Sequence, residues 1–223
     1  MRGLLGARGA GAAIVIVDVL SFSTAVDVAV GRGAAIHPYS GGHEGLRKFA
    51  ASLGAVAAGR RREGGYSLSP ASYLDVAKGT HVALRSVNGG ALSESASSEL
   101  AYAGCLRNAS ALAAALAGAG CVALIPAGER WDDGTLRPCI EDWLGAGAIA
   151  SRLSGERSAE ADLAARSFES ARPDLRDLLV GSRSGRELVE AGFELDVEIA
   201  AEVDASGAVP LLRDGVYASA RTP

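Results

Sequence analysis

The stretch from residue 123 to residue 152 brings together residue types that could do chemistry. A short apolar run, residues 123–125, breaks at a proline and a glycine, and a polar loop with two arginines follows. An Ala/Gly-rich amphipathic stretch then begins with two adjacent carboxylates, Glu141 and Asp142. α/β proteins usually bind ligands where a strand ends in a polar loop that leads into a helix. Carboxylates at such a place suit a hard divalent cation, and arginines such as Arg130 suit a phosphate or a carboxylate.

A second candidate is Asp18, near the end of the apolar run of residues 12–19. This run has the length of a strand and is rich in β-branched residues, which is typical of a strand buried on both faces in a parallel sheet. A carboxylate at the carboxyl end of such a strand can hold Mg²⁺ or act as a nucleophile. Hydroxyl residues at positions 21–24 predict a helix start, so capping of that helix by Asp18 is an alternative that its position leaves open.

A third candidate is the segment R-S-V-N-G-G, residues 85–90. A predicted strand runs into Asn88, Gly89 and Gly90 and is followed by a predicted helix. Such a junction can form a nest of backbone N–H groups that suits phosphate oxygens. Asn-Gly is also a common turn sequence, so an ordinary turn is the alternative.

Two further loops carry polar side chains that indicate a binding site less strongly. The segment S-L-S-P, residues 67–70, contains Ser69 and by default marks a turn or a helix start. Arg107 falls at a predicted strand-to-helix junction, where it could clamp an anion or form a surface salt bridge.

The elements that must position these residues alternate between strand and helix at short spacing. Strands are predicted at residues 12–19, 34–36, 82–84, 102–105 and 122–125, and helices at residues 24–32, 44–53, 91–100 and 108–116. This alternation predicts one α/β domain over residues 1–223, with a mostly parallel sheet and helices on both faces. Residues 141–201 read as mostly helical, and residues 209–211 and 216–218 predict a terminal hairpin or edge strands. The Gly-rich segment 3–11 precedes its strand, which excludes a dinucleotide-binding fingerprint there.

Composition excludes several classes of function. The net charge of −4 gives no reason to expect nucleic acid or an anionic membrane surface as a partner. Apolar runs stop well before the roughly 20 residues that a membrane span needs, and the N-terminus lacks the order of a signal peptide. The three cysteines are scattered and suggest reduced thiols, so we expect a cytoplasmic protein. There is no G-x-S-x-G elbow of a serine hydrolase.

Taken in order, the polar segments resemble the 2-phosphosulfolactate phosphatase family, which is best known from coenzyme M biosynthesis. The resemblance covers nearly the whole chain. The matching segments are V-D-V-L-S-F-S-T (17–24), S-L-S-P (67–70), S-V-N-G-G (86–90), R-N-A-S-A (107–111), A-G-E-R-W (127–131), E-D-W-L-G-A-G-A-I (141–149), S-G-R-E-L (184–188) and G-F-E-L-D-V (192–197).

The resemblance implies a three-layer α/β/α fold and a Mg²⁺-dependent phosphatase that acts on a phosphate ester of a small 2-hydroxy acid. On this reading Asp18, Glu141 and Asp142 hold Mg²⁺, with Glu141 favoured as a ligand and Asp142 expected to bond the neighbouring backbone. The phosphate is cradled and its charge neutralised by the remaining candidates, which are Ser69, Asn88, Gly89, Gly90, Arg107 and Arg130. The nucleophile is metal-activated water or, as an alternative, Asp18.

The sequence departs from the better-known members of that family at five motif positions. They carry an arginine three residues after the first-strand aspartate, where this chain has Ser21, and Gly-Asn before Ser-Pro, where it has Ser67 and Leu68. They carry threonine on both sides of Asn-Gly, where this chain has Val87 and Gly90. These differences bear on the choice of substrate. A non-catalytic binder of a small anionic metabolite is therefore the alternative function, and a homo-oligomer is compatible with either reading.

Overall fold

A computed structural model describes residues 12–96 and 100–220, and its centre is an eight-stranded sheet. The strands of this sheet are β1 (Ala13–Val17), β2 (Ala35–Tyr39), β3 (Val56–Ala57), β4 (His81–Arg85), β5 (Ala101–Gly104), β6 (Val122–Pro126), β9 (Pro210–Arg213) and β10 (Val216–Ser219). Two short strands, β7 (Glu129–Arg130) and β8 (Leu136–Arg137), form a separate hairpin in the polar loop after β6.

The sheet consists of two parallel blocks joined by an antiparallel hairpin, in the order β3-β4-β2-β10-β9-β5-β1-β6. Within the blocks, β2 and β3 pair parallel with β4, and β5 and β6 pair parallel with β1. The hairpin β9–β10 was predicted, but its alternative placement at an edge of the sheet is wrong. Each of its strands also pairs with a block, because its buried residues Leu211, Leu212 and Tyr217 cover both faces at the centre of the sheet.

Nine helices surround the sheet within the described ranges. They are α1 (Phe22–Gly31), α2 (His43–Leu53), α3 (Gly89–Ser95), α4 (Ala109–Ala115), α5 (Ile140–Arg152), α6 (Ala159–Ala171), α7 (Leu175–Gly181), α8 (Arg183–Glu190) and α9 (Glu194–Ala201). Short 3₁₀ helices lie at Pro70–Tyr73 and Arg172–Asp174. None of the helices described is both long and apolar enough to cross a membrane.

The two faces of the sheet carry separate apolar layers, which confirms the predicted three-layer α/β/α fold. Strand β1 is buried on both sides and sends Ile14 and Ile16 to the layer beneath α1. Val15 and Val17 point to the opposite layer, where they pack with α4, α5 and α6. The continuous apolar run in the sequence is therefore explained by helices on both faces.

Helix α5 packs closely against α6 because its inner face is built from small residues. A Cβ at Gly147 would collide with the carbonyl of Ala164 and lie 3.0 Å from Cβ of Phe168. Without a side chain at Gly147 the two helices approach each other tightly, and this contact fixes the position of α5 beside the carboxyl end of β1.

Strand directions place the candidate loops at opposite corners of the sheet. Because the hairpin β9–β10 reverses the direction between the blocks, β4 runs opposite to β1. In a flat sheet the carboxyl ends of β1 and β4 would thus lie at diagonally opposite corners. A hydrogen bond between Asp18 and Gly89 joins these corners, so the sheet is strongly coiled.

Most element boundaries differ from the sequence predictions by one to three residues. The largest difference is the helix predicted at residues 91–100, since α3 ends at Ser95 and Leu100 is not helical. Residues 97–99 and the Gly-rich segment 3–11 lie outside the described residues.

Candidate active site

Asp18 lies directly after β1, where its carboxylate is held by two backbone N–H groups. The amide of Phe22, the first residue of α1, donates to Oδ1 at 3.2 Å, and the amide of Gly89 donates to Oδ2 at 2.9 Å. The first bond is the helix cap that the sequence allowed, and the second comes from the opposite corner of the sheet. Asp18 is only 7% exposed, so both oxygens have a fixed orientation.

Asp142, at the start of α5, hydrogen-bonds to the loop after β1 and to the loop after β6. It lies in the first turn of α5, is buried, and accepts the amide of Val19 at Oδ1 and that of Gly128 at Oδ2, both at 2.8 Å. The loop after β1 and the loop after β6 are therefore anchored to the start of α5. These bonds to the neighbouring backbone are the kind expected for Asp142 from the sequence.

Two glutamates complete a cluster of four carboxylates. Glu141 is 3% exposed and makes no side-chain hydrogen bond within the described residues, whereas Glu129 accepts Nδ2 of Asn88 at 2.7 Å. Burial is the largest cause that raises the pKa of Asp18, to about 6, and the negative charges of Glu129 and Glu141 raise it as well. The two amide bonds to Asp18 act in the opposite direction.

The pKa of Asp142 is raised well above its ordinary value. Burial is again the main cause, and the charges of Asp18 and Glu141 add to it. The charged groups that act most strongly on Asp18 and Asp142 are therefore all negative. Such a concentration of negative charge in a buried place is unfavourable unless a proton or a cation is present.

The predicted backbone nest at residues 88–90 is occupied in part by the protein itself. The Gly89 amide points at the carboxylate of Asp18, so an oxygen of this side chain sits where a phosphate oxygen was expected. Glycine is required at position 89 by close approach, because a Cβ would lie 2.7 Å from Oδ2 of Asp18 and would collide with the Phe22 ring. The φ angle of Gly89 is not in the left-handed region.

A second polar cluster surrounds Asp196, in α9. This carboxylate is 1% exposed, accepts the hydroxyl of Ser69, and accepts Nε of Arg61 at 3.2 Å. Nη2 of Arg61 donates to Oγ of Ser21 at 2.7 Å. Ser21 precedes Phe22, whose amide holds Asp18, so the two clusters are linked through the start of α1.

The side chains of two predicted arginines form no ion pair with the four carboxylates among the described residues, although the amide of Arg130 donates to Glu129 at 2.9 Å. Arg107 donates through Nε to Oδ2 of the buried Asp27 at 3.0 Å and forms a further ion pair with Glu202. Arg130 is exposed on β7, and its side chain forms no ion pair in the described part of the chain. Arg85 donates to the carbonyl of Gly41.

The structure therefore brings Asp18, Asn88, Gly89, Glu141 and Asp142 together but leaves Ser69 in the neighbouring cluster. The predicted functional roles of all these residues stay predictions. Three residues that sequence reasoning left without a role are part of these clusters, namely Arg61, Glu129 and Asp196. Glu129 and Asp196 do fall inside family-like motifs, A-G-E-R-W and G-F-E-L-D-V, which is the signal that could have singled them out.

The donor set fits a hard divalent cation by chemistry, since oxygen ligands and excess negative charge are what Mg²⁺ requires. As they stand, however, no three His, Cys, Asp or Glu side chains of residues 12–96 and 100–220 are grouped closely enough to hold a metal ion. All four oxygens of Asp18 and Asp142 accept backbone N–H groups, which keeps these two carboxylates in place.

The fold and the cluster together define an α/β protein with a carboxylate-rich site at strand ends and helix starts, a common place for enzyme active sites. Residues 5–215 match the family described as 2-phosphosulpholactate phosphatase, and the chain belongs to this family. The family resemblance seen in the sequence is thereby confirmed.

Named relatives agree with this assignment over most of their length. The chain is 34% identical to a probable 2-phosphosulfolactate phosphatase of Carboxydothermus hydrogenoformans, over 89% of this chain and 85% of that protein. It is 30% identical to a protein of the same name from Thermotoga petrophila, over 91% and 90% of the two chains. A 2-phosphosulfolactate phosphatase of Methanothermobacter thermautotrophicus is 32% identical, over 90% and 87%.

Proposed function

We propose that this protein is a phosphoric monoester hydrolase that depends on Mg²⁺ and cleaves the phosphate ester of a small 2-hydroxy acid. The observation that carries the proposal is the convergence of four buried or half-buried carboxylates at the coiled corner of the sheet, in a chain of this family. Action on 2-phosphosulfolactate itself, a reaction of coenzyme M biosynthesis, is the finer form of the proposal.

In this account Asp18, Glu141 and Asp142 are the ligands of Mg²⁺, and they would have to move closer together to hold it, because no three such side chains are grouped closely enough in the described residues. The bound ion would neutralise charge on the phosphoryl group and lower the pKa of a bound water. Glu141 is the carboxylate with the most freedom to bind a ligand, because it makes no hydrogen bond within the described residues. Asp142 contributes mainly by fixing the loops at Val19 and Gly128.

The chain's own groups orient the site before any ligand arrives. The amides of Phe22 and Gly89 fix both oxygens of Asp18, and Asn88 fixes Glu129. Phosphoryl transfer depends chiefly on positioning and on neutralisation of charge, so a rigid set of charged groups is what this chemistry requires.

The phosphate is assigned to the start of α3 and to Arg130. The amide of Gly89 already donates to Asp18, and one N–H of the Asn88 side chain donates to Glu129. The amide of Gly90, the second N–H of Asn88 and the exposed guanidinium of Arg130 are left for phosphate oxygens. We leave Ser69 and Arg107 out of the phosphate site, because the hydroxyl of Ser69 is donated to Asp196 and Arg107 is paired with Asp27.

The experiment that tests this function is an assay of inorganic phosphate released from a panel of esters. The panel contains 2-phosphosulfolactate, 2-phospholactate, 2-phosphoglycolate and a sugar phosphate, each with Mg²⁺ and with a chelator. We expect turnover of one or more of the 2-hydroxy acid esters that stops on chelation. Calorimetric binding of these esters without turnover would instead identify a binder of anionic metabolites.

A further inference from the structure

Arg61 differs from the other two members of the run of three consecutive arginines in the loop between β3 and the 3₁₀ helix at Pro70–Tyr73. Its side chain is 20% exposed, whereas that of Arg60 is 71% exposed and only approaches Glu63. Arg62 is exposed and donates to the carbonyl of Ala191 at 3.1 Å. Only the middle arginine is thus turned inward, toward the start of α1.

The guanidinium of Arg61 has more donors than the protein uses. Nε donates to Asp196, and Nη2 donates to Oγ of Ser21 and, at 3.4 Å, to the carbonyl of Leu68. A guanidinium has five N–H donors, two of them on Nη1. Nη1 makes no hydrogen bond within the part of the chain that the structure describes, so this edge of the side chain remains available to a ligand.

The surroundings of Arg61 fix its orientation. Asp196 is held on its other side by the hydroxyl of Ser69 and by the amide of Ala71 at 3.4 Å. The ring of Phe193 lies 5.5 Å from the guanidinium carbon. A charged side chain from an exposed loop is therefore locked against a buried carboxylate and an aromatic ring, which gives it a defined direction.

The contact with Ser21 connects this cation to the carboxylate cluster through the start of α1. Ser21 is buried and is followed directly by Phe22, whose amide donates to Oδ1 of Asp18. An ester of a 2-hydroxy acid carries its acid group on the same carbon as the phosphoryl oxygen. A substrate whose phosphate is bound at the start of α3 therefore holds its acid group close to that phosphate.

We propose that Arg61 binds the carboxylate of the substrate and makes the enzyme selective for phosphate esters that carry a carboxylate on the ester carbon. The planar guanidinium matches such a group through paired hydrogen bonds. This inference rests on the proposed function, since it concerns the substrate of the same site. Arg61 is a binding residue here and takes no part in bond cleavage.

The test compares two esters that differ only in the acid group. 2-Phospholactate carries the carboxylate, and isopropyl phosphate has a methyl group in its place. In Arg61→Gln we expect KM for 2-phospholactate to rise by about tenfold to a hundredfold, as for loss of a charged hydrogen bond. KM for isopropyl phosphate should rise much less, because this ester lacks the acid group that Arg61 binds. Arg62→Gln is the matched control from the same loop and should leave both substrates unaffected.

Equal effects of Arg61→Gln on the two esters would overturn the proposal and make Arg61 a structural residue, and so would the absence of any effect. Arg61→Lys keeps the charge and serves if the Gln variant does not fold, in which case it should show a smaller selective rise in KM. If the wild-type protein hydrolyses neither of these two esters, calorimetry with 2-phospholactate decides the role of Arg61, and the proposed function itself fails only if no 2-hydroxy acid ester of the wider panel is hydrolysed. If the wild type binds 2-phospholactate and Arg61→Gln does not, the proposed role of Arg61 is supported. If both proteins bind this ester equally, or neither binds it, that role is contradicted.

Discussion

The amide of Gly89 and the carboxylate of Asp18 are joined by a hydrogen bond of 2.9 Å, although 71 residues and four intervening strands separate their segments. This bond closes the coiled corner of the sheet on which the proposed site is built. It also explains why position 89 has no side chain, since a Cβ would lie only 2.7 Å from Oδ2 of that carboxylate, closer than van der Waals contact allows.

The first prediction concerns this close approach. In Gly89→Ala the new methyl group must displace Asp18 or the ring of Phe22. We expect a loss of about 1–3 kcal/mol in the free energy of unfolding, as for overpacking, together with a fall in phosphatase activity. Urea denaturation and a phosphate-release assay measure the two effects.

The control is Gly118→Ala, because a Cβ at Gly118 would have no neighbour within 4 Å. Its stability should change by less than about 0.5 kcal/mol. If Gly89→Ala is as stable and as active as this control, the contact with Asp18 does not constrain the site.

The second prediction separates the adjacent carboxylates of α5. Asp142→Asn cannot accept both the amide of Val19 and that of Gly128, since a side-chain amide has one oxygen. We expect it to lose about 1–3 kcal/mol of stability. Glu141→Gln breaks no hydrogen bond within the described residues and should cost less, but it should weaken Mg²⁺ binding more.

Calorimetric titration with Mg²⁺ and urea denaturation of both variants check this division. The assignment of roles is reversed if Asp142→Asn abolishes Mg²⁺ binding at unchanged stability while Glu141→Gln binds normally. If neither variant binds Mg²⁺ differently from the wild type, the metal site lies elsewhere.

A third prediction follows from the raised pKa of Asp18. Burial brings this pKa to about 6, so the carboxylate is protonated below that pH and ionised above it. Activity that needs ionised Asp18 should therefore rise with pH through about 6 at limiting Mg²⁺, where the protein without the bound ion is the species that titrates. The acid limb of kcat/KM against pH reports this titration in the free enzyme.

Glu129→Gln identifies the group responsible for that limb. The negative charge of Glu129 helps to raise the pKa of Asp18, and Gln retains an oxygen that can accept from Asn88. The acid limb should move to lower pH in this variant. A limb that stays in place, or moves to higher pH, would show that it belongs to another group.

The fourth prediction concerns Arg107, which was expected from the sequence to bind an anion. Its guanidinium neutralises Asp27, which is fully buried, so Arg107→Gln should cost about 3 kcal/mol or more. The double variant Asp27→Asn with Arg107→Gln removes both charges and should recover much of this stability. If the double variant is both stable and active, Arg107 has a structural role. If the double variant is folded but inactive, the anion-binding role of Arg107 is supported.

The parts of the fold that follow from local pattern could be predicted. Strand β1 is apolar on both faces because helices cover both, and α2 ends at Gly54, whose φ of 63° suits a glycine. The central position of β9 and β10 could not be predicted, because a short apolar strand has the same pattern at an edge and between two parallel blocks.

Some residues of the candidate site could likewise be predicted from local sequence pattern, and others could not. Asp18, Asn88, Glu141 and Asp142 stand out because each lies where a strand ends or a helix begins. Nothing local distinguishes Arg61 from the arginines on either side, since its inward direction depends on Asp196 in a distant helix. The partner of the Gly89 amide was likewise hidden, because it depends on the coiling of the whole sheet.

The most direct test of the central claim is the release of inorganic phosphate from 2-phosphosulfolactate by the wild-type protein and by Asp18→Asn, measured side by side with Mg²⁺ and with a chelator. We predict turnover by the wild type only with Mg²⁺, and a rate at least about a hundredfold lower for the variant. Turnover that persists in the chelator, a variant as fast as the wild type, or a folded wild-type protein that releases no phosphate would contradict it.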